Sequence, residues 1–381
     1  MNTPTHWLLP DRLFDGQTLR DGIAVQFARG VVQAIHPVAD LPATTPIQRI
    51  TGLLTPGYLD LQVNGGGDLL LNNHPTAHTL HAMRSALHRL GTVGIMPTVI
   101  TDAPHVLAAA VEAAIATAGT PGLLGLHIEG PHIDPARRGT HATQYIRPLD
   151  SSTLAHITRL RDVGQTVMIT LAPEGVAPGQ VRALAGLGAL VCIGHSDATA
   201  AAIQPLLDEG AVCFTHLFNA MSPMLNRAPG VTGAAINSRV YCGFICDGHH
   251  VADEMLALAI RARPVPDRMF LVSDCMATVG GSDSFCLYGQ DIRLTDGRLV
   301  NAEGALAGAH VTMAQGVARL ITRLGIAPAQ ALAMAISVPA ALIGQNNLGQ
   351  LVGRRTDDLL LLGADWLPMP GPLAGPGALV A

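Results

Sequence analysis

Eight short apolar runs recur between residues 58 and 272, and nearly every one ends in a polar or ionisable side chain. They are Tyr58 to Val63, Gly94 to Ile100, Leu123 to Ile128, Thr166 to Leu171, Ala189 to Ile193, Ala211 to Thr215, Tyr241 to Ile245 and Met269 to Val272. A strand buried on both faces of a parallel sheet reads as a near-continuous apolar run of this kind. Between the runs lie Ala- and Leu-rich segments with helical character, among them Ala77 to Leu90, Pro104 to Ala118, Ser151 to Val163, Thr199 to Glu209 and Ala252 to Arg263. Asp150 and Ser151 supply a helix start for the third of these. Strands alternating with helices eight times predict an α/β chain folded as a (β/α)8 TIM barrel, closed by further helical segments at Val311 to Leu324 and Pro328 to Ile343.

The flanks have a different texture. Short β-like runs at His6 to Leu9, Gly22 to Phe27 and Val31 to Ile35 are separated by turn residues such as Asp15-Gly16 and Asp21-Gly22. Strand-like sequence returns at Asp358 to Leu362. We therefore expect a small discontinuous β-sandwich domain made of residues 1–53 and 346–381, with the barrel spanning 54–345. The tail from Pro368 to Pro376 is Pro/Gly-rich and is expected to be irregular.

Several chemistries are excluded at once. All 23 basic residues of the Lys/Arg class are arginine. Schiff-base catalysis, a phosphate-binding P-loop lysine and a metal-bridging carbamylated lysine are therefore impossible. A net charge of −5 without a basic cluster argues against nucleic acid as a partner. The N-terminal stretch lacks a basic segment leading into a long apolar core, and no run reaches the roughly 18 apolar residues of a membrane span, so a cytoplasmic protein without a membrane partner is expected. Six cysteines (Cys192, Cys213, Cys242, Cys246, Cys275 and Cys286) with no C-x-x-C spacing fit reduced core thiols.

Barrels of this class place their chemistry at the C-terminal ends of the strands. The residues there are Gln62 and Asn64, Thr98, Glu129, Glu174, His195, His216 with Asn219, Asp247 with His250, and Asp274. Glu129 closes the run Leu123 to Ile128 just before Gly130-Pro131. A carboxylate there needs a partner, either a cation or metal, or a turn and a nearby arginine. His195 and His216 follow runs on successive strands. As isolated residues they read better as satisfied core histidines. Together with Glu129 they make three ligands, the number a catalytic zinc takes while leaving a fourth position for water. A bound divalent metal lowers the pKa of its water towards about 7. Asp274 is placed to take that proton and hand it to a leaving group, or else to cap a turn.

Six ordered motifs then carry a resemblance. Leu126-His127-Ile128-Glu129-Gly130-Pro131, Gly139-Thr140-His141, Gly194-His195-Ser196, Thr215-His216-Leu217-Phe218-Asn219-Ala220-Met221, Asp247-Gly248-His249-His250 and Val272-Ser273-Asp274 resemble the N-acetylglucosamine-6-phosphate deacetylase family of the amidohydrolase superfamily, from about Gly52 to Ala340. The resemblance implies metal-assisted hydrolysis of an N-acetyl group, giving glucosamine-6-phosphate and acetate. It implies Glu129, His195 and His216 as ligands of one divalent metal per subunit, zinc foremost and iron, cobalt or manganese compatible. It implies Asp274 as general base and then acid, and His141 as polariser of the acetyl carbonyl. Asn219, Ala220, Arg227 and His250 would hold the amino-sugar phosphate, with Arg227 reaching a neighbouring subunit in a homodimer.

Where many amidohydrolases carry His-x-His on the first strand, this chain has Gln62-Val63-Asn64. That favours a single metal, with both amides hydrogen-bonding its water or its ligands. Alanines at 305, 307 and 309, together with His310 and His249, depart from the family pattern. The departures keep open an N-acetylgalactosamine-6-phosphate or other small-amide substrate, and, more remotely, a non-catalytic sugar-phosphate binder.

Overall fold

The computed structural model describes residues 5–301 and 306–369. Eight parallel strands form its centre: β1 (Tyr58–Val63), β2 (Thr92–Ile100), β3 (Leu126–Glu129), β4 (Val167–Leu171), β5 (Leu190–Ile193), β6 (Cys213–Phe214), β7 (Tyr241–Phe244) and β8 (Met269–Leu271). They lie side by side in chain order, each hydrogen-bonded to the next. The ring is closed between β8 and β1 by an isolated bridge, Val63 to Cys275. The strands are buried over nearly their whole length, as their uninterrupted apolar sequence requires.

Helices cover the outside: α1 (Ala77–His88), α2 (Pro104–Ala116), α3 (Ser151–Asp162), α4 (Gln180–Gly186), α5 (Ala200–Asp208), α6 (Gly230–Asn237), α7 (Asp253–Ala262) and α8 (Met313–Thr322). The Asp150 side chain accepts from the Thr153 N–H at 2.9 Å and fixes the start of α3. α8 opens on a reciprocal cap between Thr312 and Gln315. α4 and α6 are short and glycine-containing, which hides their periodicity in the sequence. The apolar stretch from Pro328 is not one helix but two, α9 (Pro328–Ala335) and α10 (Ser337–Leu342), broken at Ile336 with φ −129° and ψ −74°. Pro339 supplies the cause: it has no N–H for the Ala335 carbonyl, and its ring would strike that carbonyl in a continuous helix.

Residues 5–56 form five strands that share one six-stranded sheet with Leu359–Leu362, which runs antiparallel to Ile47–Pro56. Leu8, Leu13, Val25, Phe27, Leu54 and Leu361 pack together on it. A three-stranded antiparallel sheet of Ser284–Leu287, Gln290–Thr295 and Arg298–Val300 follows β8 and was not anticipated from the sequence. Its turns, Tyr288-Gly289 and Asp296-Gly297, hold positive φ at both central residues (52° and 77°, 49° and 77°), the geometry that suits two-residue hairpins. Leu287, Ile292 and Leu299 of this sheet pack on Leu70, Ile100 and Met276.

All six cysteines are free and five are buried, but Cys286 is exposed on this added sheet rather than in the core. Gly304, Ala305 and the tail beyond residue 369 lie outside the described residues. Among the described residues no helix is long and apolar enough to cross a membrane.

Candidate active site

The polar residues at the strand ends converge because the backbone there turns sharply. His195, His216 and Asp274, just beyond β5, β6 and β8, hold φ of 50°, 29° and 52°, and Phe218 and Ala220 hold 74° and 50°. A left-handed conformation costs a non-glycine residue on the order of 1–3 kcal/mol and persists only where its surroundings enforce it. Glu129 is the last residue of β3, and Gly130 follows at φ +75°. A Cβ on Gly130 would lie 2.2 Å from the Thr101 hydroxyl, which itself sits 2.8 Å from Nδ1 of His141. Glycine at 130 therefore leaves room for the group that orients His141.

Three side-chain atoms able to bind a metal meet at the centre. Oε1 of Glu129 lies 3.2 Å from Nε2 of His195 and 3.0 Å from Nε2 of His216, and the two imidazole nitrogens are 3.0 Å apart. Ligands about 2.0 Å from a tetrahedral zinc are separated by about 3.3 Å, so this triangle fits a divalent cation. Nδ1 of His195 donates to the Arg137 carbonyl at 2.9 Å, which turns the lone pair of Nε2 inward. Among the described residues Nδ1 of His216 finds no hydrogen-bond partner.

Glu129, His141 and His195 also bring ligand atoms within 4.8 Å of one another. The contacts within the Glu129, His195 and His216 triangle are the shorter ones, and Nδ1 of His141 is engaged by Thr101. All four groups are buried. Burial opposes charge on Glu129, yet His195 and His216 close beside it hold its carboxyl well below the usual range. Burial also works against charge on His216, but Glu129 outweighs it and raises the imidazole.

Asp274 faces this triangle. Its Oδ1 accepts from Asn64 Nδ2 at 2.7 Å and from Gln62 Nε2 at 3.2 Å, and the same Gln62 amide donates to Glu129 Oε1 at 3.0 Å. Burial, with the charge of Glu129 adding to it, pushes Asp274 up to about 6. Burial, then the neighbouring His195, lowers His141 well below the ordinary histidine value. His141 is therefore neutral. Thr101 N–H also approaches its Nδ1 at 3.4 Å, which leaves the Nε2 edge as donor.

These groups open on a cavity of about 200 Å³ that Asn64, Glu129, His141, His195, His216, Asn219, Ala220, His250 and Asp274 all line. His250 is oriented by Asp247, whose Oδ2 lies 2.7 Å from its Nδ1. Met276, Leu306 and Gly308 complete the wall as apolar or small contributors that carried no chemical signal in the sequence. Arg227 does not line the cavity and lies on the exposed loop between Met221 and Gly230.

Thr98 sits below the site against Nδ1 of His127 (3.2 Å), and Glu174 turns away to accept from the Ser196 hydroxyl (2.9 Å). His310 bonds Thr278 at 2.8 Å, and the His249 ring packs against Gly297 of the added sheet. A larger cavity of about 290 Å³ lies at the opposite end of the barrel, around Gly119 to Leu124, and contains none of these groups.

The chain is 35% identical over 360 residues to the N-acetylgalactosamine-6-phosphate deacetylase of Shewanella sp. (strain ANA-3), covering 91% of this chain and 89% of that protein. It is 31% identical over 333 residues to the N-acetylglucosamine-6-phosphate deacetylase of Haemophilus influenzae, covering 86% of each. Among solved structures it superposes on N-acetylglucosamine-6-phosphate deacetylase from Pasteurella multocida with a TM-score of 0.88 at 31% identity, over 96% of this chain and 97% of that one. No protein-family model matches the chain.

Proposed function

Because the chain belongs to the N-acetylglucosamine-6-phosphate deacetylase family, we propose that it hydrolyses the N-acetyl group of N-acetylglucosamine-6-phosphate to glucosamine-6-phosphate and acetate. The observation that carries this reading is the triangle of Glu129, His195 and His216 with the half-buried Asp274 facing it. A divalent cation held by those three residues, zinc in this reading with iron, cobalt or manganese compatible, lowers the pKa of water and polarises the acetyl carbonyl when bound.

The chain's own residues do the rest. Asp274, with its pKa near 6, accepts the proton of the attacking water at neutral pH and then delivers it to the departing amine. Neutral His141 donates from Nε2 to the acetyl oxygen as negative charge develops there. Gln62 and Asn64 keep Asp274 aimed and favour its charged form. His250, Asn219 and the Ala220 backbone hold the sugar phosphate from the cavity wall. Without lysine, a phosphate monoester must be gripped by imidazole, backbone N–H groups and arginine. Arg227 supplies that arginine from a second copy of the chain in a cytoplasmic homodimer. Its exposed loop, where Met224 and Leu225 are also exposed, supports that assignment.

The test is acetate release from N-acetylglucosamine-6-phosphate by wild type and Asp274→Asn, with metal content measured in both. Activity that disappears in the mutant while about one metal per chain stays bound supports the reading. A metal-loaded wild type that releases no acetate sinks it. A second reading, the galacto epimer as substrate, is favoured by the 35% identity to the Shewanella enzyme named for that sugar. Side-by-side kinetics on the two epimers separates them.

A further inference from the structure

The barrel's closing seam is built differently from its other joints. Seven neighbouring strand pairs share parallel ladders, whereas β8 and β1 are joined by the Val63 to Cys275 bridge and by backbone bonds such as Asp274 N–H to the Gln62 carbonyl at 3.0 Å. The side chain of Asp60, only 1% exposed on β1, supplies a further tie. Its Oδ1 accepts from the backbone N–H of Ser273 at 3.2 Å and of Gln62 at 3.3 Å. Its Oδ2 is bonded to the Ser273 hydroxyl, which in turn accepts from the Cys275 N–H at 3.1 Å.

Ser273 and Cys275 are the two residues flanking Asp274, which is held at φ +52°. Burying a carboxylate here is expensive, and desolvation pushes Asp60 up to about 7 despite its hydrogen bonds. An apolar residue would fill the strand without that cost. The acid takes no part in the hydrolysis described above.

We infer that Asp60 is a positioning residue. Through Ser273 it clamps the left-handed turn at Asp274, and through the Gln62 N–H it fixes the strand whose amides face that carboxylate. The inference rests on the reading of Asp274 as the proton carrier.

The experiment compares Asp60→Ala, Asp60→Asn and, as a control, Leu59→Ala, a fully buried neighbour on the same strand that belongs to no part of the site. Acetate release from N-acetylglucosamine-6-phosphate, metal content and thermal unfolding are read for each. Asp60→Ala is expected to lower kcat by roughly 10- to 100-fold with KM and metal content unchanged. Asp60→Asn, whose amide oxygen still accepts from both backbone N–H groups, is expected to recover most of that loss. Leu59→Ala is expected to lower Tm and leave kcat in place.

Should Asp60→Ala fail to fold, Ser273→Ala breaks the same clamp from the other side, and a kcat loss without a KM change supports the inference. An Asp60→Ala or Ser273→Ala enzyme with wild-type kcat overturns it. So does a loss that follows metal content, or one matched by Leu59→Ala. An inactive wild type overturns the function itself, whereas an active wild type with an indifferent Asp60 overturns this inference alone.

Discussion

Asn64 donates its side-chain amide to Oδ1 of Asp274 at 2.7 Å, across the seam that closes the barrel. Gln62, two residues earlier near the end of β1, reaches Oδ1 of Asp274 at 3.2 Å and Oε1 of Glu129 at 3.0 Å. Two neutral amides thus hold two carboxylates near each other, Glu129 buried and Asp274 half-buried. The donors favour the ionised form of Asp274, while burial and the charge of Glu129 push it up to about 6.

Removing the Asn64 donor should tip that balance. A hydrogen bond to the charged form lowers a carboxyl pKa, so its loss raises it. Asn64→Leu is expected to move the acid limb of the kcat profile upward by about one pH unit, since a bond to a charged group is worth roughly 1.5–3 kcal/mol. At pH 8 the variant should approach its maximal rate and at pH 6 fall well short of it. A kcat–pH profile between pH 5 and 9 decides the matter, and an unmoved acid limb would show that Asn64 does not tune Asp274.

Metal affinity should weaken as pH falls. Glu129 raises His216 above its ordinary value, so a proton occupies the triangle more readily than it would an isolated imidazole. A cation must displace that proton, and its affinity then drops by about tenfold per pH unit below the imidazole pKa. Competition of the chelated protein with a metal-indicator dye from pH 8 to pH 5.5 should show this slope. Substituting His216→Asn should flatten it as well as weaken binding. A pH-independent affinity would argue for ligands that carry no proton, and against this trio.

The stability contribution of Asp60 should fall as pH rises. Its folded pKa is raised, from about 3.8 to about 7, because burial disfavours the charged form. A raised folded pKa means the group's stabilising contribution is complete below the unfolded pKa and is lost as pH climbs through 4 to 7. The full loss is on the order of a few kcal/mol. Asp60→Asn cannot ionise, so the Tm difference between variant and wild type should move in the variant's favour between pH 5 and pH 8. A difference that is flat with pH would mean that Asp60 keeps the same protonation state in the folded and unfolded chain.

Much of this was legible in the sequence because buried parallel strands leave long apolar runs and strand ends leave isolated polar residues. Glu129 stood out for that reason, and His195 and His216 followed from the same rule on later strands. Asp60 did not, because it lies inside the run Tyr58 to Val63 rather than at its end, and only the structure reveals Ser273 as its partner. The amides of Gln62 and Asn64, at and just beyond the end of β1, were read as hydrogen-bonding groups near the metal. That one of them bridges Glu129 and Asp274 depends on the closure of the barrel, which no local pattern encodes. The added sheet was missed although Tyr288-Gly289 and Asp296-Gly297 are hairpin signals, since its strands are short and largely exposed. The break at Ile336 was hidden because the apolar periodicity continues through it, while Pro339 carried the warning.

His250 offers the sharpest separation of binding from chemistry. Its Nδ1 lies 2.7 Å from Oδ2 of Asp247, and the backbone N–H groups of His249 and His250 both donate to Oδ1 of the same carboxylate, at 2.8 and 2.9 Å. Burial would push Asp247 up, but the bond from His250 leads the groups that outweigh it and bring the carboxyl to about 2. Asp247 is therefore ionised throughout the working range and turns the other edge of the His250 ring towards the cavity. Asp247→Asn keeps the size of the side chain and removes the charge, so the imidazole loses the carboxylate that orients it. If His250 holds the substrate phosphate, KM should rise by about tenfold, the worth of roughly 1.4 kcal/mol, while kcat changes far less because the interaction is equal in ground state and transition state. Phosphate-free N-acetylglucosamine supplies the control: its poor turnover should be indifferent to Asp247→Asn. Equal damage to both substrates would show that the pair supports the cavity wall rather than the phosphate.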